Sequence, residues 1–157
     1  MKLIVLAVGR VRVQAIKSLC EDYLSRLQRY GATELREVKA AGSASGGAAI
    51  ESAVAQESAR LQDEILPGDA IHILDERGAQ ISSLELSTLF KTHELSATRR
   101  LVFILGGAFG LSADLKKRGR LIALSRLTFP HELCRAIVLE QLYRARTIQR
   151  GEPYHHF

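Results

Sequence analysis

Three glycines follow a short apolar run in the last third of the chain, and this combination suits a ligand site. The run covers residues 101–105, and Gly106, Gly107 and Gly110 come soon after it. A continuous apolar run of this length is typical of a buried strand. Glycine lets the backbone turn sharply or come close to a bound molecule. The pattern therefore predicts a small-molecule site in the loop after this strand.

A second apolar run leads into a loop and the start of a helix. Residues 121–124 are apolar, and a short loop follows them. The order Thr128, Phe129, Pro130 predicts a helix N-cap at Thr128, because threonine caps helices and proline is favoured in the first helical turn. Two strand ends would thus bring glycines, backbone amides and a helix start to one edge of a sheet.

Other common ligand and catalytic motifs fit poorly. The three glycines do not have the G-x-G-x-x-G spacing of a dinucleotide-binding loop, and the chain has no P-loop. The one dense histidine pair, His155 and His156, lies at the end of the chain, where a terminal segment is a simpler interpretation than a metal site. No serine or cysteine is paired with an evident base. The glycine loop therefore remains the strongest candidate site.

The elements that must position these loops alternate between strands and helices. Residues 2–8 form an apolar run typical of a strand covered on both faces. Residues 16–27 carry apolar side chains at helical spacing before Gly31, and residues 33–39 alternate as in a strand near a sheet edge. Residues 40–49 are small and glycine-rich, and they predict a mobile loop that is either a surface linker or a flap.

The second half of the chain continues the alternation. A helix is expected over residues 50–65 and a strand over residues 70–74, followed by a turn whose carboxylates are solvated or serve as caps. Ser82 and Glu85 have the spacing of a capping box that opens another helix. A short helix should follow the glycine loop, with an acidic start and a basic end.

The final helix, over residues 131–149, is apolar almost all around. A helix of this kind must be covered on both sides. We therefore expect one side to pack on the sheet and the other to meet a second copy of the chain. The alternation over the whole length predicts an α/β fold with a mostly parallel sheet flanked by helices, in which ligands bind beyond the carboxyl ends of the strands.

The length and net charge of the chain indicate a single basic domain. Its 157 residues carry a net charge of +5, and at this size roughly 70% of the unfolded surface can be buried without a disulfide or metal. The charge favours a polyanionic partner, although many basic proteins bind none. Cys20 and Cys134 fall at apolar helix positions, which favours a reducing compartment. No segment has the ~20 apolar residues of a membrane span, so we expect a cytoplasmic protein without membrane contact.

Five short motifs occur in order along the chain. They are Leu74-Asp75 at a strand end, Ile104-Leu-Gly-Gly-x-x-Gly-Leu-Ser112, Leu127-Thr-x-Pro-His131, Glu140-x-Leu-Tyr-Arg-Ala145 and Pro153-Tyr-His155. Together they resemble the ribosomal RNA large subunit methyltransferase H family, small members of the SPOUT class of RNA methyltransferases. The similarity covers essentially the full chain.

The resemblance implies a single SPOUT methyltransferase domain over residues 1–157, with an α/β knot in which the C-terminal segment forms a trefoil knot. It also implies a homodimer and S-adenosylmethionine as methyl donor, with no metal. The implied partner is 23S ribosomal RNA, within the large subunit or the assembled ribosome. The implied reaction is methylation of ring N3 of the pseudouridine conventionally numbered 1915.

The resemblance also assigns the residues that would hold the donor. Apolar walls and close backbone contact in loops suit an adenine and a methionine moiety. The assigned residues are Leu74, Gly107, Arg126, Leu127, Thr128, Phe129, Pro130 and His131.

Methylating a ring N3 requires the loss of its proton, so a base that titrates near neutrality is needed. His155 is the first candidate for this base and His131 the second. Arg144 would stabilise the anionic base or hold phosphate, and Tyr154 would stack on a base or complete the pocket.

Arg135 and His156 are the expected RNA contacts. Two alternative functions stay open: another SPOUT activity on RNA, such as ribose 2′-O-methylation of transfer RNA, or a noncatalytic ribosome-binding protein with a vestigial cofactor pocket. The short chain, without an additional RNA-binding domain, argues against the first. Measuring S-adenosylmethionine binding distinguishes the second alternative from a methyltransferase.

Overall fold

The structure, a computed structural model, describes residues 1–156 of the chain. Strands and helices alternate, as the sequence predicts. The elements are β1 Lys2–Val8, α1 Gln14–Gln28, β2 Thr33–Val38, α2 Gly47–Asp63, β3 Ala70–Gln80, α3 Ser83–Leu95, β4 Arg100–Leu105, α4 Ala113–Lys116, β5 Arg120–Ala123 and α5 His131–Arg150.

The strands form one parallel sheet in the order β2-β1-β4-β3-β5. This confirms the predicted α/β fold with a parallel sheet, and it places β2 at an edge as its alternating pattern predicts. Because all strands point the same way, the loops that follow them open at one edge. This carboxyl edge therefore collects the segments after β1, β3, β4 and β5. The C-terminal knot stays a prediction.

Two helical layers cover the sheet. On one face, α1, α3 and α5 pack with the inward side chains of β1 and β4 around Phe90, Phe103 and Leu139. On the other face, α2 and α4 pack around Leu61, Ile104 and Leu115. β1 and β4 are buried on both faces, which explains why their sequences are continuous apolar runs.

Local signals account for several helix starts. The predicted capping box of α3 is present, since the Ser82 side chain accepts from the Glu85 amide and the Glu85 side chain accepts from the Ser82 amide. Ser112 caps α4 by accepting from the Leu115 amide. By contrast, α2 begins at Gly47, three positions before the first apolar residue of its stripe.

Two predicted local structures are wrong. Thr128 does not cap α5: the helix begins at His131, Pro130 holds the N-cap position, and the Pro130 carbonyl accepts the first helical bond from Cys134. The turn expected after Leu74 is instead an irregular continuation of β3, whose register with β5 shifts between Leu74 and Ala79. In both cases a tertiary packing requirement overrides a local signal.

The final helix is covered mainly from within its own chain. α5 packs against α1 on one side and α3 on the other, and it contacts β4 beneath. Its core-facing residues include Val138, Leu139 and Leu142. Leu133 and Ile137 remain only half-buried, so part of the outer face is available for another molecule.

Two histidines meet in the interior between β3 and α3. His72 is buried, its Nε2 lies 3.1 Å from Nε2 of His93, and its ring stacks on Phe103 with centroids 5.3 Å apart. Within residues 1–156 its Nδ1 has no hydrogen-bond partner. Burial, followed by the nearby His93 and Arg120, lowers the pKa of His72 from 6.5 to about 4.

We expect stability to fall as the pH drops from 6.5 to about 4. In this window the unfolded chain protonates His72 at its ordinary pKa while the folded chain keeps it neutral, so the unfolded state binds more protons and stability rises with pH. The loss at pH 5 should be about 2 kcal/mol. Urea unfolding at pH 7 and pH 5 measures this, with His72→Asn as the nontitrating control. An equal pH dependence in both proteins would contradict the assignment.

Candidate functional site

A cavity of about 640 Å³ opens at the carboxyl edge of the sheet. Its walls are the end of β3, the loop between β4 and α4, and the loop between β5 and α5. A cavity of this size fits a nucleoside-sized ligand. The site therefore lies where the ends of parallel strands converge, as the sequence predicts.

Most of the residues assigned to the donor converge on this cavity. Arg126 is the exception: its backbone belongs to the loop after β5, but the residue is exposed and does not line the cavity. The donor residues that line the cavity are Leu74, Gly107, Leu127, Thr128, Phe129, Pro130 and His131.

The glycine loop depends on close packing at Gly107. A Cβ at this position would lie 2.6 Å from Oε2 of Glu57 and 3.2 Å from a Val8 methyl. A separation under 3.0 Å is closer than real Cβ contacts, so a side chain here would force the buried Glu57 carboxylate to move. The loop is anchored further along, where the Ser112 amide donates to Ser58 Oγ at 2.9 Å. Gly107 thus keeps the backbone pressed against α2.

One ion pair in the cavity was not predicted as part of the site. Lys116 Nζ lies 2.6 Å from Asp75 Oδ2, and Asp75 Oδ1 accepts from the Arg77 amide at 2.9 Å. Burial alone would raise the pKa of Asp75, but hydrogen bonds from Lys116 and Arg77, together with the Lys116 charge, lower it overall. Asp75 therefore stays ionised and paired: of the two expectations, that it is solvated or caps the backbone, the second is confirmed by its bond from the Arg77 amide. The short helix α4 brings Lys116 into the site.

The carboxylate of Glu132 fastens the start of α5 to the loop after β1. Glu132 Oε2 accepts from the Arg12 and Val13 amides at 2.9 and 3.1 Å. These two bonds lower the pKa of Glu132. The contacts fasten the loop after β1 to the first turn of α5, and this turn carries His131 and Cys134, which line the cavity.

Arg135 lies in the interior and not at an RNA-accessible surface. Its side chain is 1% exposed; Nη1 bonds Glu37 Oε1 at 2.8 Å, and Nη2 donates to the Val8 carbonyl. Burial of this guanidinium leaves no room for a phosphate. In this structure Arg135 ties α5 to β1 and β2, and the structure does not bring it together with the other predicted RNA contact, the exposed His156.

The three predicted catalytic residues form one cluster around Glu140. Arg144 lies in α5, and Tyr154 and His155 lie in the segment after it, residues 151–156; we call the three together the tail residues. Arg144 Nε and the Tyr154 hydroxyl both donate to Glu140 Oε1, at 3.0 and 3.1 Å. The Arg144 guanidinium lies over the Tyr154 ring, 4.7 Å from its centroid, and Arg144 Nη1 is 3.4 Å from His155 Nδ1. Burial and the neighbouring Tyr23 hydroxyl and Glu140 raise the pKa of Tyr154, so its hydroxyl remains protonated at neutral pH.

This cluster is far from the cavity of the same chain. α5 starts at His131 in the cavity wall, and Arg144 follows 13 residues later, which is about 20 Å along a helix axis. None of Arg144, Tyr154 and His155 lines the cavity. The predicted site residues therefore form two separate groups. Seven of the residues assigned to the donor line the cavity, and Arg144, Tyr154 and His155 lie around Glu140.

None of the helices within residues 1–156 is both long and apolar enough to cross a membrane. In the same part of the chain, no group of three or more histidine, cysteine, aspartate and glutamate side chains is arranged to hold a metal ion.

The fold and the site define a class of enzyme. A family described as "Predicted SPOUT methyltransferase" matches residues 1–155 of the chain. A crystal structure of a probable methyltransferase from Bordetella pertussis Tohama I has the same fold, with a TM-score of 0.54 at 14% identity over 92% of each chain. This chain is thus a SPOUT methyltransferase.

Curated relatives narrow the class further. Two proteins named "Ribosomal RNA large subunit methyltransferase H" are similar along their whole length. The one from Pelobacter propionicus is 42% identical over 156 residues, which cover 99% of this chain and 100% of the relative. The one from Gloeobacter violaceus is 41% identical over 157 residues, which cover 99% of each chain. The chain belongs to the ribosomal RNA large subunit methyltransferase H family.

Proposed function

We propose that this protein transfers a methyl group from S-adenosylmethionine to ring N3 of a pseudouridine, number 1915, in 23S ribosomal RNA. The observation that carries the proposal is the cavity at the carboxyl edge, on which seven of the eight expected donor residues converge. The name of the relatives supports a large-subunit ribosomal RNA as substrate. The donor supplies an activated methyl group on a sulfonium, so positioning contributes much of the rate.

The residues of the cavity fit this donor. Leu74 and Leu127 offer apolar walls for an adenine, and the loop of residues 126–131 offers backbone amides and carbonyls. The close packing of Gly107 on Glu57 leaves bare backbone in the cavity wall at this position. The Asp75–Lys116 pair adds fixed charges of both signs beside this wall.

We further propose a homodimer in which the tail of one copy completes the cavity of the other. The distance of about 20 Å between His131 and Arg144 along α5 supports this, because the tail cannot serve its own cavity without leaving its packed position. Exposed apolar side chains beside the cavity also need a cover: Leu127 is 74% and Phe109 43% exposed. An antiparallel pair of α5 helices would meet both requirements.

In such a site the tail residues have distinct roles. His155 is the base for the N3 proton, because a neutral imidazole ring has a nitrogen that accepts a proton. Arg144 lies beside His155 and stabilises the anionic ring after proton loss. Glu140 fixes Arg144 and Tyr154 in place, so the hydroxyl and the guanidinium are presented in a set geometry.

RNA would approach the carboxyl edge, where exposed cations follow three of the strands. Arg10 and Arg12 follow β1, Lys39 follows β2, and Arg126 follows β5; all four are exposed. Cations on one side attract phosphate, and this attraction weakens with salt. His156 is exposed at the end of the tail and joins this surface in the dimer, while Arg135 acts by holding α5. The ribosomal substrate places the protein in the cytoplasm.

The proposal is tested on the RNA and on the protein. Ribosomal RNA from cells lacking this protein should lose the N3-methyl group at the pseudouridine, as read by mass spectrometry, and the purified protein with donor should restore it on isolated large subunits or ribosomes. Calorimetry with S-adenosylmethionine should give saturable binding to the wild-type protein. A folded protein that gives no binding heat, or cells whose RNA modification is unchanged, would overturn the proposal.

A further inference from the structure

A buried carboxylate stands directly behind the glycine loop. Glu57 lies in the middle of α2, and the residue is 5% exposed. Its Oε1 accepts from the Ala41 amide at 3.0 Å, which ties the segment of residues 40–46, between β2 and α2, to the helix. Its Oε2 is fully buried and has no hydrogen-bond partner within residues 1–156.

The unpartnered oxygen faces the backbone of the donor loop. A Cβ on Gly107 would lie 2.6 Å from Oε2, so the oxygen is next to the backbone of Gly107. The loop itself is fixed to α2 one residue further on, through the Ser112 amide and Ser58 Oγ. A buried carboxylate oxygen without a donor is unfavourable. The backbone of the glycine loop lies against this oxygen at Gly107, and a backbone N–H is a donor that would satisfy it.

We propose that Glu57 is a positioning residue for methyl transfer. When the donor fills the cavity, Oε2 accepts a backbone N–H of the loop 106–111, and the same carboxylate holds the Ala41 amide through Oε1. Donor binding is thereby coupled to the order of residues 40–46, which do not line the cavity. The inference rests on the proposed donor site at Gly107. The sequence of residues 40–46 favours either a linker or a flap. According to this inference, the segment is a flap that becomes ordered when the donor binds.

Hydrogen exchange read by mass spectrometry, together with calorimetry, tests the coupling. In the wild-type protein, saturating S-adenosylmethionine should slow exchange both in the loop 106–111 and in residues 40–46. Glu57→Gln keeps the size of the side chain but turns an NH₂ group toward either the loop or Ala41. We expect this variant to bind the donor about 10-fold more weakly and to lose the slowing in residues 40–46.

Two variants on the same helix serve as controls. Glu51→Gln changes an exposed carboxylate of α2 and should leave both readouts as in the wild type. Ser58→Ala removes the bond to Ser112 and should lower the melting temperature, yet the donor should still slow exchange in residues 40–46. A general loss of packing would instead affect Ser58→Ala and Glu57→Gln alike.

The outcomes separate this inference from the proposed function. If the wild-type protein fails to bind the donor, the proposed function fails. If the wild-type protein binds and Glu57→Gln binds equally well with the same exchange pattern, the role of Glu57 is overturned while the donor site stands. Loss of affinity with an unchanged response in residues 40–46 would also overturn the coupling.

Discussion

Cutting the chain after Gly151 should abolish methyl transfer while leaving binding of S-adenosylmethionine nearly unchanged. The cut removes Tyr154 and His155, which contact Glu140 and Arg144 and do not line the donor cavity of their own chain. Loss of a catalytic base lowers turnover by about 100-fold or more. Single-turnover assays with ribosomes and calorimetry with the donor measure the two effects.

Smaller changes separate chemistry from packing. The Tyr154 ring packs on Tyr143 with centroids 4.8 Å apart, so the cut also removes part of the tail's support. Tyr154→Phe keeps this packing and removes only the hydroxyl bonds to Glu140 and Tyr23. His155→Ala should lower turnover about as much as the cut. Wild-type turnover in His155→Ala would contradict its role as the base.

Mixing two inactive variants tests whether the tail acts on the partner's cavity. Ala108→Trp fills the cavity from an exposed position and should prevent donor binding. When this variant exchanges subunits with the truncated chain, each mixed dimer gains one site with an intact cavity and an intact tail. About a quarter of the wild-type activity should return. No recovery, in dimers shown to have exchanged, would mean that the tail serves its own cavity.

Gly78→Ala should unfold the carboxyl edge. A Cβ at Gly78 would lie 2.5 Å from the Ile122 nitrogen and 2.6 Å from main-chain carbons of Leu121 and Ile122. Because these are backbone atoms of β5, they cannot rotate away, and β3 and β5 must separate. Overpacking costs about 1–3 kcal/mol, and a clash with backbone should lie at or above the top of this range. Donor binding should be lost as well, since β5 leads into the loop 124–131.

Thermal and urea unfolding, with calorimetry of donor binding, measure this effect. Gly47→Ala is the matched control, because no atom lies within 4 Å of its new Cβ and the residue opens α2 in a helical conformation. We expect this control to leave stability unchanged or raise it by up to about 1 kcal/mol. If Gly78→Ala were as stable as the control, the close crossing of β3 and β5 would be wrong.

Much of the fold follows from local patterns. Continuous apolar runs identify β1 and β4, helical periodicity identifies α1 and α5, and the Ser82–Glu85 spacing identifies the start of α3. Since parallel strands share one carboxyl edge, the order of these elements is enough to bring Leu74, Gly107 and the loop after β5 together. The individual donor residues come from the resemblance to the family, and the shared edge explains why seven of the eight line one cavity.

Contacts between distant parts of the chain could not be predicted from local sequence patterns. Lys116 reaches Asp75, Glu57 stands behind Gly107, and Gly78 crosses Ile122. Each depends on how a helix or bulge is placed against the sheet, and neither residue of a pair carries a local signal for the other. The wrong N-cap at Thr128 has the same origin, because the loop after β5 is drawn into the cavity wall before α5 can begin.

The sequence by itself determined the α/β class and the order of the elements, because periodicity and caps act over a few residues. Its motifs, through their resemblance to the family, singled out seven residues that line the cavity. Only the tertiary structure decided that Arg135 is an interior ion-pair partner and that the tail gathers around Glu140, away from its own cavity. The length of α5 sets that separation, because its first turn lies in the cavity wall and its second half carries Glu140 and Arg144.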